Sequence, residues 1–205
     1  LFDWSYDLLS PEERLLFTRA AIFPGRFTLD AAAVICGGDG IDGRDVLDLL
    51  VSLSEKSLVN VDTSRDPERY RMLESTRQYA LERLTVIGET ERFARAHAGY
   101  FRGVAENAEK TFGSTPLVEW LAGLDSDLEN LRGAMDWAIV SGADVPLGGA
   151  TAAALEMFWW HGGLEAEGIR WIEAALRKID ENEPADTAAR LKQASARIMS
   201  RLLFS

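Results

Sequence analysis

Residues able to do covalent or metal chemistry are few in this chain and badly spaced for it. There is one cysteine, Cys36, and two histidines, His97 and His161, lying 64 residues apart. A zinc site needs three or four Cys, His or carboxylate ligands converging on one point, and this spacing does not supply them. No H-E-x-x-H segment occurs. The glycines of Cys36-Gly37-Gly38-Asp39-Gly40 look superficially like a phosphate-binding loop. No lysine follows them, so the G-x-x-x-x-G-K-[ST] cradle cannot form, and helix punctuation is the simpler reading. Cys36 beside that glycine run reads as a small buried hydrophobe without a neighbouring base. His97 sits on the apolar face of its helix and reads as a packed histidine. Carboxylate pairs such as Glu12-Glu13 and Asp125/Asp127 fall at helix caps or solvated turns. The residues therefore point away from an enzyme, and no cofactor is expected.

Aromatic residues are better placed. Trp159, Trp160 and Trp171 fall within 13 residues, with His161 next to them. Adjacent positions on a helix point about 100° apart, so Trp159 and Trp160 cannot share one environment. One can fill a core while the other faces a groove, as suits a recognition surface. Alternatively both are buried between stacked helices. Trp159, Trp160, His161 and Trp171 are thus the candidate interaction surface.

The elements that must carry these residues are mostly helical. Ser10-Pro11-Glu12-Glu13 is a capping box with proline at the first helical position. The helix behind it stops at Pro24-Gly25. Thr28 caps a short helix over Leu29 to Ile35. Asp42 opens a third, with Val46, Leu49, Leu50 and Leu53 on one face. The period then changes to two. Ser57 to Val61 and Arg69 to Leu73 read as strands about a polar turn, Asp62 to Glu68. Ser75 and Gln78 form a further capping box for a helix that ends at Gly88. Three helices, a hairpin and a helix are the order of a winged helix.

Beyond Gly88 helices are expected from Thr90 to Lys110, from Pro116, from a box at Ser126 and Glu129, and from Leu147 to His161. Gly162-Gly163 then turns the chain into a helix over Leu164 to Ile179. This last hairpin partly matches a tetratricopeptide repeat, with Leu155 and Trp159 packing against the small Gly168. The fold class is mostly α. It comprises a winged-helix domain with a small β-hairpin, residues 1–88, and a helical tetratricopeptide-like domain, residues 89–205.

Composition bounds the partners. The chain has 205 residues and a net charge of −11, divided as −5 up to Gly88 and −6 beyond it. Binding to nucleic acid rests on neutralising phosphates, so neither half is suited to it. The third helix would be the DNA reader, yet Asp45, Asp48 and Glu55 outnumber Arg44 and Lys56 there. No apolar run reaches the roughly 18 residues that span a bilayer. No secretory leader opens the chain, and the lone cysteine fits a reducing compartment, so a cytoplasmic location is expected. The folded-looking start at Leu1 and the amphipathic stretch Ala185 to Phe204 suggest a segment of a longer protein. If that last helix ends the repeats, then Leu191, Ile198, Leu202 and Leu203 would be uncovered and drive self-association.

Several motifs in series resemble a known family. Ser5-Tyr6-Asp7-Leu8-Leu9, Ala21-Ile22-Phe23-Pro24-Gly25-Arg26-Phe27, Asp45 to Leu50, Lys56-Ser57-Leu58-Val59 and Tyr70-Arg71-Met72-Leu73-Glu74 are similar to the winged helix of the STAND nucleotide switches. That family includes bacterial LuxR- and SARP-type transcriptional regulators and plant immune receptors. Arg77 to Leu84 is especially like the bacterial regulators. His97-Ala98-Gly99-Tyr100-Phe101, Glu129 to Arg132 and Trp137-Ala138 resemble the helical linker before their repeats.

The resemblance implies a part of a larger switch. A P-loop ATPase module would precede this chain and contact its winged helix. The repeats would receive a protein or small-molecule effector, and the winged helix would relay that contact. In the immune receptors a Met-His-Asp motif touches the nucleotide's phosphates. Met72, Leu73 and Glu74 fill that place here, and leucine brings no hydrogen-bond donor to it. The competing expectation is a DNA-binding winged-helix factor with a helical ligand-binding or oligomerisation domain.

Overall fold

Ser10 closes the first long helix as its sequence requires. In a computed structural model describing residues 2–64, 67–179 and 185–203, the Ser10 hydroxyl accepts the Glu13 N–H at 3.2 Å. The Glu13 carboxylate in turn accepts the Ser10 N–H at 2.8 Å, completing the box. A short helix not expected from the sequence, α1 (Phe2–Asp7), precedes α2 (Pro11–Ala20). Six residues are too few to show a helical period. Then come α3 (Leu29–Cys36), capped by Thr28, and α4 (Val46–Glu55). Asp42 does not cap α4; it accepts the Arg44 N–H at 3.0 Å in the turn before it.

The hairpin is shorter than its pattern suggested. It consists of β1 (Asn60–Asp62) and β2 (Arg69–Arg71), antiparallel with Val61 opposite Tyr70. Ser57 cannot belong to a strand because its φ is +59°, a left-handed turn out of α4. The hairpin tip at residues 65 and 66 lies outside the described residues. Phe27 and Tyr70 exchange backbone hydrogen bonds of 2.9 and 2.8 Å, which adds a third short extended segment beside β2. Next, α5 (Glu74–Val86) starts one residue before Ser75. Its N-cap is Leu73, whose side chain has no acceptor, so the expected box of Ser75 and Gln78 does not form.

The chain divides into two compact units, Leu1–Tyr100 and Phe101–Ser205, so the division falls inside α6 (Thr90–Thr111) rather than at Gly88. The first half of α6 completes the first unit's core. Phe93 is buried with the Arg19 guanidinium over its ring, and His97 meets the edge of Phe23 at 5.5 Å. In that core α2 packs against α3, α4 and α5. Leu16, Phe17, Phe23, Phe27, Leu50, Leu53 and Leu84 are almost fully buried. Each such side chain contributes about 1.5–3 kcal/mol by leaving water. This mostly α unit with one small hairpin has the winged-helix order of elements.

The second unit holds α7 (Leu117–Met135), which continues into a π-helical turn, Asp136–Val140. It then runs through α8 (Val145–Ala154), α9 (Glu156–His161), α10 (Glu165–Lys178) and α11 (Ala185–Leu203). Two expectations fail here. The Ser126–Glu129 box is interior to α7: the Ser126 hydroxyl donates back to the Ala122 carbonyl at 2.9 Å. The single helix expected over Leu147 to His161 is broken at Leu155.

Small residues explain α8. A Cβ on Gly148 would lie 2.5 Å from Ile139, and one on Gly149 would lie 3.0 Å from Leu191. Both neighbours can therefore approach the bare backbone, and α8 is apolar and covered nearly all round. Leu191 and Ile198 of α11 are buried too. The sequence-based expectation that they form an uncovered patch is thereby corrected, because α11 packs on α8 and α10. The side chains of Leu202 and Leu203, and all of Phe204, lie outside the described residues. Among the described residues no helix is long and apolar enough to cross a membrane.

Candidate interaction surfaces

The glycine run that mimics a phosphate loop has a structural task. Gly38, Asp39 and Gly40 adopt positive φ, which turns carbonyls inward. The buried Arg19 guanidinium donates to the carbonyls of Cys36, Gly38 and Asp39 at 2.7–2.9 Å. The run therefore receives a cation from α2, whereas a phosphate cradle would present N–H groups. Cys36 is fully buried, and burial pushes its thiol up to about 12, against a smaller opposing pull from Arg19. It is inert as a nucleophile at neutral pH. Among the described residues no group of three His, Cys, Asp or Glu is arranged to hold a metal.

The tryptophans do not form one surface. Trp159 is completely buried, and its indole N–H donates to the Ala152 carbonyl at 3.0 Å. It also fills the space over Gly168, where a Cβ would lie 2.4 Å from the indole. The expectation that Trp159 is an interaction residue is thus corrected, since the crossing of α9 and α10 consumes it. Trp160 is half-buried and His161 is exposed, its ring stacked on Phe112 at 5.4 Å. Trp171 is half-buried on α10, where its indole donates to Glu167 at 3.2 Å. Arg132 grips the same carboxylate through two hydrogen bonds of 2.6 and 2.7 Å. That grip holds Glu167 below the usual carboxylate range; burial opposes it and Trp171 adds to it. A shallow cavity of about 250 Å³ beside this network is lined by Glu167, Arg170, Trp171 and Ala174.

The sensor-like positions separate as well. Met72 is buried, whereas Leu73 and Glu74 are exposed at the start of α5. The latter two border a cavity of about 420 Å³ that also takes in Arg26, Arg69 and Arg71. Those arginines were not singled out in the sequence, although Arg69 and Arg71 alternate along a strand.

The most informative surface is the outward face of α4. Val46, Leu50 and Leu53 are buried, which leaves Leu47, Asp48, Val51 and Glu55 exposed on the opposite side. Leu47 and Val51 are 42% and 47% exposed, so two aliphatic side chains one turn apart face solvent, with the carboxylates of Asp48 and Glu55 along one flank. The cations near this helix are committed elsewhere. Lys56 donates to Glu13 and to Ser52, the latter at 2.8 Å. Arg44 is held by both oxygens of Asp42, at 2.7 and 3.2 Å. Burial raises the pKa of Glu13, but hydrogen bonds from Lys56, Ser52 and the Ser10 N–H outweigh it, so the group stays below the usual range. The i, i+4 spacing of Leu47 and Val51 was visible in the sequence, but the eye follows the core stripe beside it.

Three proteins from Mycobacterium tuberculosis and Mycobacterium bovis, each carrying the name "Putative HTH-type transcriptional regulator", are similar to this chain at 34% identity over 174 residues. The match covers 85% of this chain and 19% of each of them, so the chain spans about a fifth of the length of these curated relatives. Uncharacterised proteins of the same two species are 42% identical over 89 residues, covering 43% of this chain and 23% of each. No family model matches the chain, and no solved structure matches it.

Proposed function

We propose that this chain is a regulatory segment of a helix-turn-helix-type transcriptional regulator, acting in the cytoplasm through protein contacts and without catalysis of its own. In this reading the winged-helix unit docks through the outward face of α4 on another module of the same protein, a nucleotide-binding switch. The helical unit begins a tetratricopeptide-like array, and a protein or small-molecule effector engages it. Effector binding would shift the balance between two packings of the winged helix, which requires differential affinity for the two.

The observation that carries the reading is the α4 face itself. Leu47 and Val51 are exposed beside Asp48 and Glu55, and the cations Arg44 and Lys56 are paired with carboxylates of this chain. A helix that reads DNA needs cationic or amide side chains pointing outward. An apolar pair flanked by acid suits a protein surface that is apolar and carries lysine or arginine beside it. The names of the longer relatives support a place in transcriptional regulation.

Those names suit a DNA-binding reading at least as well, and the arginines of the hairpin favour it, since a wing can touch phosphates. The test uses the full-length protein containing this segment. Substituting Leu47→Asp together with Val51→Asp should loosen the docked state and speed release of bound nucleotide, without changing the segment's own melting temperature. Unchanged nucleotide release with lost DNA binding would transfer the function to the second reading.

A further inference from the structure

We infer that α6 is a jointed helix: it opens between Gly99 and Gly103 into two separately held halves, and this opening is a conformational step in the regulatory role just proposed. The inference rests on that role and deepens it, but it concerns α6 alone.

Each half of α6 is anchored in its own unit. In the first half Phe93, Ala94, His97 and Ala98 are buried, Phe93 under the Arg19 guanidinium and His97 against the edge of Phe23. Arg92 also pairs with Asp39 in the glycine run after α3. In the second half Phe101, Ala105 and Ala108 are buried. The Ala108 carbonyl accepts the Trp120 indole N–H at 3.0 Å, and Glu109 pairs with Arg190 of α11 at 3.0 Å. The division between the units falls between Tyr100 and Phe101. Helical bonds run from each N–H to the carbonyl four residues earlier, so the N–H groups of Phe101, Arg102, Gly103 and Val104 carry the bonds across it.

Gly99 and Gly103 bracket that point, one turn apart on the exposed side of the helix. The helical glycines Gly148, Gly149 and Gly168 admit close neighbours. Gly99 and Gly103 do not: among the described residues a Cβ at either would meet nothing within 4 Å, and neither has a positive φ. What they add is backbone freedom. Each favours the open chain over the helix by about two- to fivefold relative to alanine, and the two together by about tenfold. The Arg102–Glu106 ion pair of 2.7 Å spans Gly103 and favours the closed form, but partly exposed pairs of this kind add little. Closed, α6 couples the two cores through one run of backbone bonds. Open, each core keeps its own half. A ligand that prefers one of these states shifts the balance between them.

Amide hydrogen exchange on the 205-residue chain, read residue by residue by NMR, tests this. Protection at Phe101 to Val104 should be lower than at Ala98 and Ala108 by about tenfold or more, as local opening requires. Gly99→Ala combined with Gly103→Ala should raise it by about tenfold. Gly123→Ala, an equally open position inside α7, should leave it unchanged, because the joint opens without unfolding α7. The first comparison needs no variant, so a folding defect cannot obscure it. Equal protection along α6 in the wild type would overturn the inference. So would a double variant without effect at these amides, or a Gly123→Ala effect as large as that of the double variant, since exchange would then follow unfolding of the whole unit. None of these outcomes bears on the α4 face, whose test is separate.

Discussion

Replacing Gly168 by alanine would place a Cβ 2.4 Å from the indole of the buried Trp159. That indole is held by its hydrogen bond to Ala152, so the neighbour has little room to give. Gly168→Ala should therefore cost about 1–3 kcal/mol by overpacking. The same substitution at Gly99 or Gly103, both in α6 with open space where the Cβ would go, should stabilise by roughly 0.5–1 kcal/mol through helix propensity. Thermal melts of the three variants check the opposite signs. Glu13 supplies a pH-dependent counterpart. Its folded pKa lies below the ordinary 4.5, so its stabilisation is fully present above that value and is lost as pH falls through the folded one. Glu13→Gln should remove about 2 kcal/mol at pH 7, and the deficit should shrink towards pH 3, read by amide exchange in α2. Of the residues singled out in the sequence, the inert ones were legible: Cys36 and His97 are buried. The exposed ones were less so. Composition marks a tryptophan cluster, but only the crossing partner, Gly168, decides which indole is consumed by the core.

At the scale of elements, the helices with strong caps were legible. Ser10 and Thr28 sit where their hydrogen bonds to the third following N–H dictate. Where a tertiary contact replaces a local signal, the sequence misleads. The break at Leu155 and the π-helical turn Asp136–Val140 carry no cap residue of their own. The π-helical turn is closed from a distance: the Lys178 ammonium, at the end of α10, donates to the carbonyls of Ile139 and Val140 at 2.8 and 2.6 Å. Carbonyls at a helix C-terminus need such partners. Lys178→Met keeps the aliphatic stem and removes the donor. It should destabilise the second unit by about 1–3 kcal/mol and raise amide exchange at Ser141, whose N–H bonds back to Asp136. Wild-type exchange at Ser141 in that variant would mean that water serves the two carbonyls equally well.

Across the whole molecule, charge is what an experiment can use to separate the two regulatory readings. Proteins that bind DNA by releasing counterions gain affinity as salt is lowered. A chain of net charge −11, with −5 and −6 on either side of Gly88, has the opposite tendency, because lower salt lengthens the range of its repulsion from phosphates. A local basic face could override this, as a winged helix does when its third helix is cationic. Here Lys56 is bonded to Glu13 and Arg44 to Asp42, and α4 turns Leu47, Asp48, Val51 and Glu55 outward. The arginines of the hairpin stand among Asp62 and Glu74, which limits their excess charge. We therefore expect no binding of this chain to duplex DNA by fluorescence anisotropy at about 100 mM salt, and none on lowering the salt to about 20 mM. Binding that appears at low salt, depends on sequence and disappears with Arg69→Ala or Arg71→Ala would place the DNA contact in the hairpin and make α4 its support.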